Sequence, residues 1–140
     1  MKLVLAILLC AAGCQAATNN VHPVACGRDL LVSGASDGSQ VRATGVTSWY
    51  SYESGTVTAS GERFNPRALT CASWFHGFGT VLRVTCGGRS VLVRVNDRGP
   101  ARRYVRQGRV IDMSEAAFER IADKRMGLVT VTITKIKIKS

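Results

Sequence analysis

Residues 91–100 place a strand directly before a sharp turn, and this order of elements constrains the fold more than any other feature. The run 91–95 is apolar and rich in valine, as a buried strand is. Asn96-Asp97 and then Gly99-Pro100 end it, because Gly and Pro favour turns. Asp97 is therefore predicted to lie on a stiff element, where an acid–base carboxylate would be well held. The alternative is a turn aspartate that binds its own backbone.

Short strand-like runs recur along the chain. Gly87-Gly88 separates two of them and predicts a hairpin turn. The last run alternates apolar residues with Thr and Lys, which is typical of a half-buried strand. One helix is predicted from Ser114, its N-cap, to Gly127. Many short strands with one helix leave a small barrel and a sandwich open. The predicted strands are residues 45–50, 57–59, 78–85, 90–95, 109–111 and 128–137.

Length and charge restrict the classes of protein. A chain of 140 residues has room for one domain of ordinary size. The 19 Lys and Arg against 9 acids give a formal charge of +10, which favours polyanionic partners. Nucleic acid, anionic lipid and acidic envelope polymers all fit that charge. Nucleic acid is not expected as a partner, because no nucleic-acid motif is present and the N-terminus described next predicts export, after which a chain seldom meets nucleic acid.

The N-terminus predicts export. Residues 1–16 combine a basic start with a short apolar run, as a signal peptide does. Small residues before Cys14 resemble a bacterial lipobox, which predicts a lipid on Cys14 and membrane attachment through it; ordinary cleavage nearby is the alternative. The protein is thus expected in the cell envelope or secreted. Residues 17–44 are predicted to be an N-terminal extension, and residues 45–140 the folded domain.

The cysteines fit an oxidising compartment. Cys71 and Cys86 flank a strand-like run and are predicted to form a disulfide, whereas Cys26 is left over. Zinc is not expected, because no Cys-x-x-Cys pair occurs and the two histidines are far apart in sequence. No metal or organic cofactor is predicted.

Four sequence blocks, in order, carry a family resemblance. They are residues 45–50, residues 58–64 with Thr-Ala-Ser-Gly-Glu-Arg-Phe, residues 93–100 with Val-Arg-Val-Asn-Asp-Arg-Gly-Pro, and residues 109–118. Together they resemble the core domain of the rare lipoprotein A (RlpA) family of septal-ring lytic transglycosylases. The resemblance covers residues 45–138 and implies a six-stranded double-psi β-barrel with one short helix.

The resemblance implies an endolytic peptidoglycan transglycosylase, a carbon–oxygen lyase acting on a polysaccharide. Such an enzyme cuts between N-acetylmuramic acid and N-acetylglucosamine, and the muramoyl 6-hydroxyl attacks its own anomeric carbon to leave a 1,6-anhydro end. Asp97 is the first candidate acid, followed by Glu62 and Asp112, which match the acids of the family blocks. Glu62 could instead be an exposed turn residue, and Asp112 could simply cap the helix.

One block departs from the family. Where relatives carry a histidine this chain has Ser73, and His76 follows three residues later. Serine can donate a hydrogen bond but cannot shuttle protons near neutral pH. On a strand-like segment His76 is expected to face away from Ser73. Both residues are nevertheless candidates for substrate binding.

Aromatic and basic residues are the other substrate-binding candidates. Trp49, Tyr50 and Trp74 could stack on sugar faces, although barrel packing is the safer expectation for at least one of them. Arg98 is the first of an arginine cluster that could bind peptidoglycan carboxylates or form a solvated loop. The other members are Arg102, Arg103, Arg106 and Arg109.

Two further classes of function remain open. A non-catalytic, expansin-like or barwin-like module that binds cell-wall glycan is the main alternative, and Ser73 favours it. A small secreted barwin-like effector acting on a host or competitor wall is the weaker one. In each case the expected partner is a glycan strand and the expected state is a monomer.

Overall fold

The computed structural model describes residues 42–138 of the chain. Within them, six strands close into a barrel in the order β1-β5-β2-β4-β3-β6, which confirms the predicted six-stranded barrel. Two short helices, α1 and α2, follow β4 and β5, and single turns of 3₁₀-helix lie at Tyr52–Ser54 and Lys124–Met126. The bounds are β1 Arg42–Tyr50, β2 Thr70–Ala72, β3 Val81–Cys86, β4 Arg89–Asp97, α1 Arg102–Val105, β5 Arg109–Ser114, α2 Glu115–Glu119 and β6 Val129–Lys135.

Two parallel strand pairs set the topology. β1 is parallel to β5, and β2 is parallel to β4, whereas the other four neighbouring pairs are antiparallel. Parallel neighbours cannot be joined by a tight hairpin and need a crossover connection. The crossovers bring strands that are distant in sequence side by side, so that β2 lies between β4 and β5.

The apolar run of β4, predicted as a buried strand, is buried on one face only. Val91, Val93 and Val95 of β4 are buried, while Leu92 and Arg94 between them are exposed. Successive side chains of a strand point to opposite faces, so one face of β4 supplies the core.

The predicted alternation of β6 and the predicted hairpin turn before β4 are both present. In β6 the alternating residues Val129, Val131 and Ile133 are buried. Gly87 and Gly88 join β3 to β4 with φ angles of 48° and 78°. A two-residue hairpin turn of this kind needs positive φ at both positions, which glycine adopts without strain.

The predicted helix is shorter than expected. Ser114 is its N-cap residue, but α2 ends at Glu119 instead of continuing to Gly127. The Asp123 side chain accepts a hydrogen bond from the Arg125 backbone N–H and so starts a separate 3₁₀ turn, which Gly127 ends. Phe118, fully buried, packs α2 onto the core.

Several local predictions were wrong. Residues 57–59 form no strand; Val57 makes only an isolated bridge with Arg63. β1 begins at Arg42, three residues before its predicted start. β2 and α1 were not predicted, because three and four residues are too few to show a period.

The predicted disulfide between Cys71 and Cys86 is also wrong. Cys71 is a free, buried thiol, and Cys86 is disulfide-bonded elsewhere. Cys71 lies on β2 opposite Val95, while Cys86 ends β3 opposite Arg89, so β4 separates the two strands. Six residues along β4 correspond to about 20 Å, far beyond the reach of a disulfide.

Some predictions lie outside the described residues. They are the signal peptide at residues 1–16, the lipid on Cys14, the left-over Cys26, and the N-terminal extension at residues 17–44 except for its last three residues. Between residues 42 and 138, no helix is both long enough and apolar enough to span a membrane.

Candidate active site

Four paired residues, two of which are aspartates, form a row across four neighbouring strands. Ser48 of β1 pairs with Asp112 of β5, Asp112 pairs with Ala72 of β2, and Ala72 pairs with Asp97 of β4. We call these four residues the carboxyl row. Two strand spacings separate the backbones of the two aspartates, which is about 10 Å. The topology thus unites Asp97 and Asp112, two of the three acids predicted from the sequence.

The turn after Asp97 passes close to the row. A Cβ built on Gly99 would lie 3.0 Å from the Cβ of Ala72 and 3.8 Å from Oδ2 of Asp112. A side chain at this position would crowd Ala72 and approach the carboxyl group of Asp112. Glycine therefore lets the turn pack directly against Ala72, which is only 4% exposed.

The carboxyl group of Asp97 is oriented by backbone donors. Its Oδ1 accepts hydrogen bonds from the N–H of Ala59 at 2.8 Å and of Arg98 at 2.7 Å. The bond from Arg98 is a local turn contact of the aspartate with its own backbone, whereas the bond from Ala59 comes from a loop 38 residues away. Both donors contact the same oxygen, so the carboxyl group is held in one orientation at the end of β4.

The carboxyl group of Asp112 is partly buried. Its side chain is 18% exposed, Ser48 Oγ donates to its Oδ1 at 2.5 Å, and an Arg109 guanidinium nitrogen lies 3.7 Å from the same oxygen. Burial raises the pKa of Asp112 above its usual value, and the hydrogen bond from Ser48 and the charge of Arg109 only partly offset this. Asp112 thus holds its proton to a higher pH than an exposed aspartate does. Its contacts are with Ser48 and Arg109, and it does not act as a helix cap.

Glu62 is held in a different environment. Arg94 binds both of its carboxylate oxygens, at 2.7 and 2.8 Å, and Asn96 Nδ2 donates to one of them at 3.2 Å. These hydrogen bonds lower the pKa of Glu62 to about 2. The carboxylate is therefore ionised under all ordinary conditions. Glu62 is joined to β4 just before Asp97 and is not part of the carboxyl row.

Ser73 and His76 contact each other, contrary to the expectation that they face apart. Residues 73–76 form a bent loop and not a strand, so Ser73 Oγ lies 3.1 Å from His76 Nδ1. Ser73 Oγ also accepts a hydrogen bond from the Phe75 N–H at 3.2 Å, and Ser73 is fully buried. Burial and the nearby charge of Lys135 lower the pKa of His76. The Ser73 hydroxyl is thus engaged within its own loop.

Arg98 fastens this loop to the end of β4. One guanidinium nitrogen donates to the carbonyl oxygens of Ser73 and His76 at 2.7 and 2.8 Å. The guanidinium also lies 3.8 Å from the centre of the Phe78 ring, a favourable cation–π distance. The residue after Asp97 therefore holds the loop of residues 73–78 beside the carboxyl row.

The candidate aromatic residues divide between core and surface. Trp49 donates to the Lys124 carbonyl at 3.2 Å and packs against the core, and the Tyr50 ring stacks on Phe64. Trp74 instead donates to the Pro100 carbonyl at 2.7 Å and remains 39% exposed. Of the three, Trp74 presents the most accessible ring surface beside the turn after Asp97.

The arginine cluster reaches the carboxyl row through Arg109. The Arg109 guanidinium contacts Asp112 and also lies 4.2 Å from the centre of the Tyr104 ring, over which Arg103 lies at 4.7 Å. Arg102 lies 4.5 Å from the centre of the Trp74 ring. Stacking on aromatic rings holds these cations next to the site and keeps positive potential there.

Ser48, which faces Asp112 across a parallel strand pair, was not predicted as a site residue. The pairing of Ser48 with Asp112 follows only from the register of β1 with β5, in which paired residues are more than 60 positions apart in sequence. No cluster of three or more potential metal ligands from His, Cys, Asp and Glu occurs within residues 42–138.

Comparison with known proteins assigns the family. The family model described as "Lytic transglycolase", a double-psi β-barrel family, matches residues 42–133. The chain belongs to this family. Its barrel is an RlpA-like double-psi β-barrel, as the resemblance implied.

The relatives of this family domain are longer proteins. The probable endolytic peptidoglycan transglycosylase RlpA of a Nostoc species is 51% identical over 78 residues, which are 52% of this chain and 20% of that protein. RlpA of Yersinia pestis is 42% identical over 102 residues, or 67% of this chain and 27% of that one. The chain thus spans about a quarter or less of these two relatives.

A solved structure shares the fold. A mutant of Clavibacter michiganensis expansin, in complex with cellohexaose, matches 71% of this chain and 52% of its own, with a TM-score of 0.56 and 20% identity. At that identity the likeness concerns the fold alone.

Proposed function

We propose that this protein is an exported lytic transglycosylase of peptidoglycan that leaves 1,6-anhydro-muramoyl ends. The observation that carries the proposal is the carboxyl row, in which a partly buried acid with a raised pKa and an oriented carboxyl group flank Ala72. The names of the RlpA relatives support the substrate class.

Asp112 is the proposed general acid. A general acid must carry a proton when it acts, and burial shifts the pKa of Asp112 in the direction that this role requires. Asp112 donates its proton to the bridging oxygen as the bond from that oxygen to the muramoyl anomeric carbon breaks. N-acetylglucosamine then leaves with a new hydroxyl group.

Asp97 is the proposed general base. Its carboxylate, held by the N–H groups of Ala59 and Arg98, accepts the proton of the muramoyl 6-hydroxyl as that oxygen bonds to the anomeric carbon. The glycosidic C–O bond breaks and the bond from the 6-oxygen to the anomeric carbon forms, while Asp112 gives one proton to the leaving oxygen and Asp97 takes one from the 6-hydroxyl. No water is consumed, and proton exchange with solvent restores both groups.

Glu62 is proposed to position the base. Its ion pair with Arg94 fixes the loop of residues 57–63 against β4, and the Ala59 N–H that contacts Asp97 belongs to this loop. A carboxylate with a pKa of about 2 holds no proton to donate at neutral pH.

The test is digestion of purified peptidoglycan, followed by mass spectrometry of the muramoyl ends. The parent protein should release 1,6-anhydro products, and Asp112→Asn and Asp97→Asn should each lower the rate by about 10²–10⁴-fold, the usual contribution of general acid–base catalysis. Asp123→Asn is the matched control, because Asp123 is exposed and pairs with Arg125 away from the row. Anhydro products at parent rates from both row variants would contradict the assignment.

The non-catalytic glycan-binding module remains the second candidate. The observation in its favour concerns Ser73, which occupies the position of the family histidine. Its hydroxyl group contacts His76 and accepts from the Phe75 N–H, so that it is turned into its own loop. Binding of the parent to glycan strands without any anhydro product would support this alternative.

A further inference from the structure

β5 contains one extra residue relative to its parallel neighbour β1. Val46 lies opposite Arg109 and Thr47 lies opposite Ile111, so Val110 has no partner of its own and forms a β-bulge. Beyond this point the two strands pair regularly to their ends. Bulges often occur next to active sites, where they change the direction of a side chain.

Gly45 provides the space that the bulged side chain occupies. A Cβ built on Gly45 would lie 2.4 and 2.7 Å from the two methyl carbons of Val110. Val110 packs against the barrel core, so a side chain at position 45 would have to displace it. The bulge therefore depends on glycine at position 45.

The bulge decides which face of β5 carries Arg109. Ile111 and Met113 are fully buried in the core, and strict alternation would place the Arg109 side chain on their face. A charged group in the core would be costly. With one extra residue in the strand, Arg109 instead meets Asp112, and one guanidinium nitrogen lies 3.7 Å from Oδ1 of that carboxyl group. The bulge thus brings a cation to the carboxyl row.

Arg109 acts on Asp112 through its charge. The distance of 3.7 Å is longer than a hydrogen bond, and both side chains are 18% exposed. The Tyr104 ring holds the guanidinium from another side, with its centre 4.2 Å away. Within residues 42–138, Arg109 is the only cation that forms an ion pair with Asp112. Its attraction is weak for a neutral carboxyl group and becomes strong when the carboxylate forms.

Other titratable or charged groups lie on the elements around β5, but none of those described forms an ion pair with Asp112. Burial raises the pKa of Tyr50 and that of Cys71, so both groups are neutral. Glu115 forms an ion pair with Lys124. The full set is Tyr50 of β1, Cys71 of β2, Asp97 of β4, Arg102 and Arg103 of α1, and Glu115 and Glu119 of α2.

We propose that Arg109 is a positioning residue of the reaction, placed by the Val110 bulge so that its charge stabilises the carboxylate of Asp112 as the proton leaves. This inference rests on the proposed function, since it concerns the acid of the same site. It assigns the Arg109 charge to Asp112 and not to a carboxylate of peptidoglycan. Arg109 keeps its own protons throughout, and the bonds that break and form are those of the proposed reaction.

The experiment removes the charge with Arg109→Gln. The titration of the Asp112 carboxyl group is followed by carbon NMR, and kcat and KM for release of anhydro products are measured over the same pH range. Arg103→Gln is the matched control for the titration. Arg103 lies 4.7 Å from the centre of the same Tyr104 ring but forms no ion pair with Asp112.

In Arg109→Gln the midpoint of the Asp112 titration should rise by about one pH unit, the lower end of the effect of a nearby opposite charge, because the pair is partly exposed. Below the basic limb, kcat should fall about 3–10-fold, because a weaker acid donates its proton more slowly. KM should change little. The Asp112 titration in Arg103→Gln should match that of the parent.

Two results would overturn the inference. One is an Asp112 titration that is the same in Arg109→Gln as in the parent. The other is a raised KM with unchanged kcat, which would make Arg109 a substrate-binding residue instead.

The role of the bulge is tested separately with Gly45→Ala. Displacement of Val110 should lower Tm and move the Asp112 titration upwards, as in Arg109→Gln. Gly45→Ala/Val110→Ala lacks both clashing methyl groups and should regain most of the parent's Tm and titration. A double variant that regains neither, or a folded Gly45→Ala with the parent titration, would overturn the role of the bulge.

Failure of the proposed function gives a different pattern. If the parent releases no anhydro product, catalysis is refuted, but the NMR titrations still decide on Arg109. An upward move confined to Arg109→Gln would uphold its action on Asp112. Equal titrations of the parent, Arg109→Gln and Arg103→Gln would overturn it.

Discussion

Ser48→Ala should raise the pKa of the proposed acid. Ser48 Oγ donates to Asp112 at 2.5 Å, a bond that favours the ionised carboxylate. A hydrogen bond to a charged group contributes about 1.5–3 kcal/mol, and 1.36 kcal/mol corresponds to one pKa unit. Because the Asp112 side chain is 18% exposed, we take the lower half of that range. Removal of the hydroxyl should thus raise the pKa by roughly one unit.

The assay is the pH dependence of kcat/KM for release of anhydro products. A general acid is active while protonated, so the basic limb of the profile should move up by about one pH unit in Ser48→Ala. Ser51→Ala is the matched control, because Ser51 donates to Glu115 and not to Asp112. A basic limb that stays in place, or moves to lower pH, would show that Asp112 is not the general acid held by Ser48.

The same shift has a consequence for stability. The native pKa of Asp112 is raised above the value of 3.8 expected in the unfolded chain, so the native state binds the proton more tightly. Its contribution to the free energy of unfolding is present below pH 3.8 and is lost as the pH rises through the native pKa. In Ser48→Ala this loss should extend to higher pH, as chemical denaturation at a series of pH values would reveal.

Three other predictions follow from single contacts. Glu62→Gln removes the ion pair with Arg94. The resulting difference in free energy of unfolding should be fully present above pH 4.5 and be lost as the pH falls through about 2, the native pKa of Glu62; a pH-independent difference would contradict this. Cys71, whose pKa burial raises to about 12, should resist alkylation at pH 8 in the native protein and react after unfolding; labelling of the native thiol in a peptide map would count against the packing. Arg98→Lys should speed amide hydrogen exchange in residues 73–78 while Tm changes little, because an ammonium group cannot reproduce the paired carbonyl contacts and the stacking; unchanged exchange would refute the proposed clamp.

Local sequence patterns predicted the parts of the fold that depend on neighbouring residues. The valines of β4, the glycine pair of its hairpin and the alternation of β6 each express a local rule, and each was confirmed. The position of Asp97 at a strand end followed from the same reasoning. These features are visible within about ten residues of sequence.

Contacts between distant strands were beyond local reasoning. The pairing of Cys71 with Cys86 failed because β4 separates their strands, and the link from Ser48 to Asp112 depends on a parallel pair more than 60 residues apart. The contact of Ser73 with His76 depends on a bend that strand-like residues did not reveal. In each case the topology or a turn, and not a residue pattern, decides which side chains meet.

The family resemblance supplied what the patterns could not. It chose a double-psi barrel over a sandwich and brought Asp97 and Asp112 forward as partners before their strands were known to flank β2. It also drew attention to Glu62 as an acid, a role for which its ion pair with Arg94 leaves it poorly suited.

Digestion of peptidoglycan in water enriched in the heavy oxygen isotope shows directly which group attacks the anomeric carbon. In a lytic transglycosylase the muramoyl 6-hydroxyl, and not water, attacks the anomeric carbon. The parent protein should therefore release 1,6-anhydro ends that carry no label, and Asp112→Asn should release almost none. Reducing muramoyl ends that carry the heavy oxygen would contradict it, because they would show that the carboxyl row activates water instead.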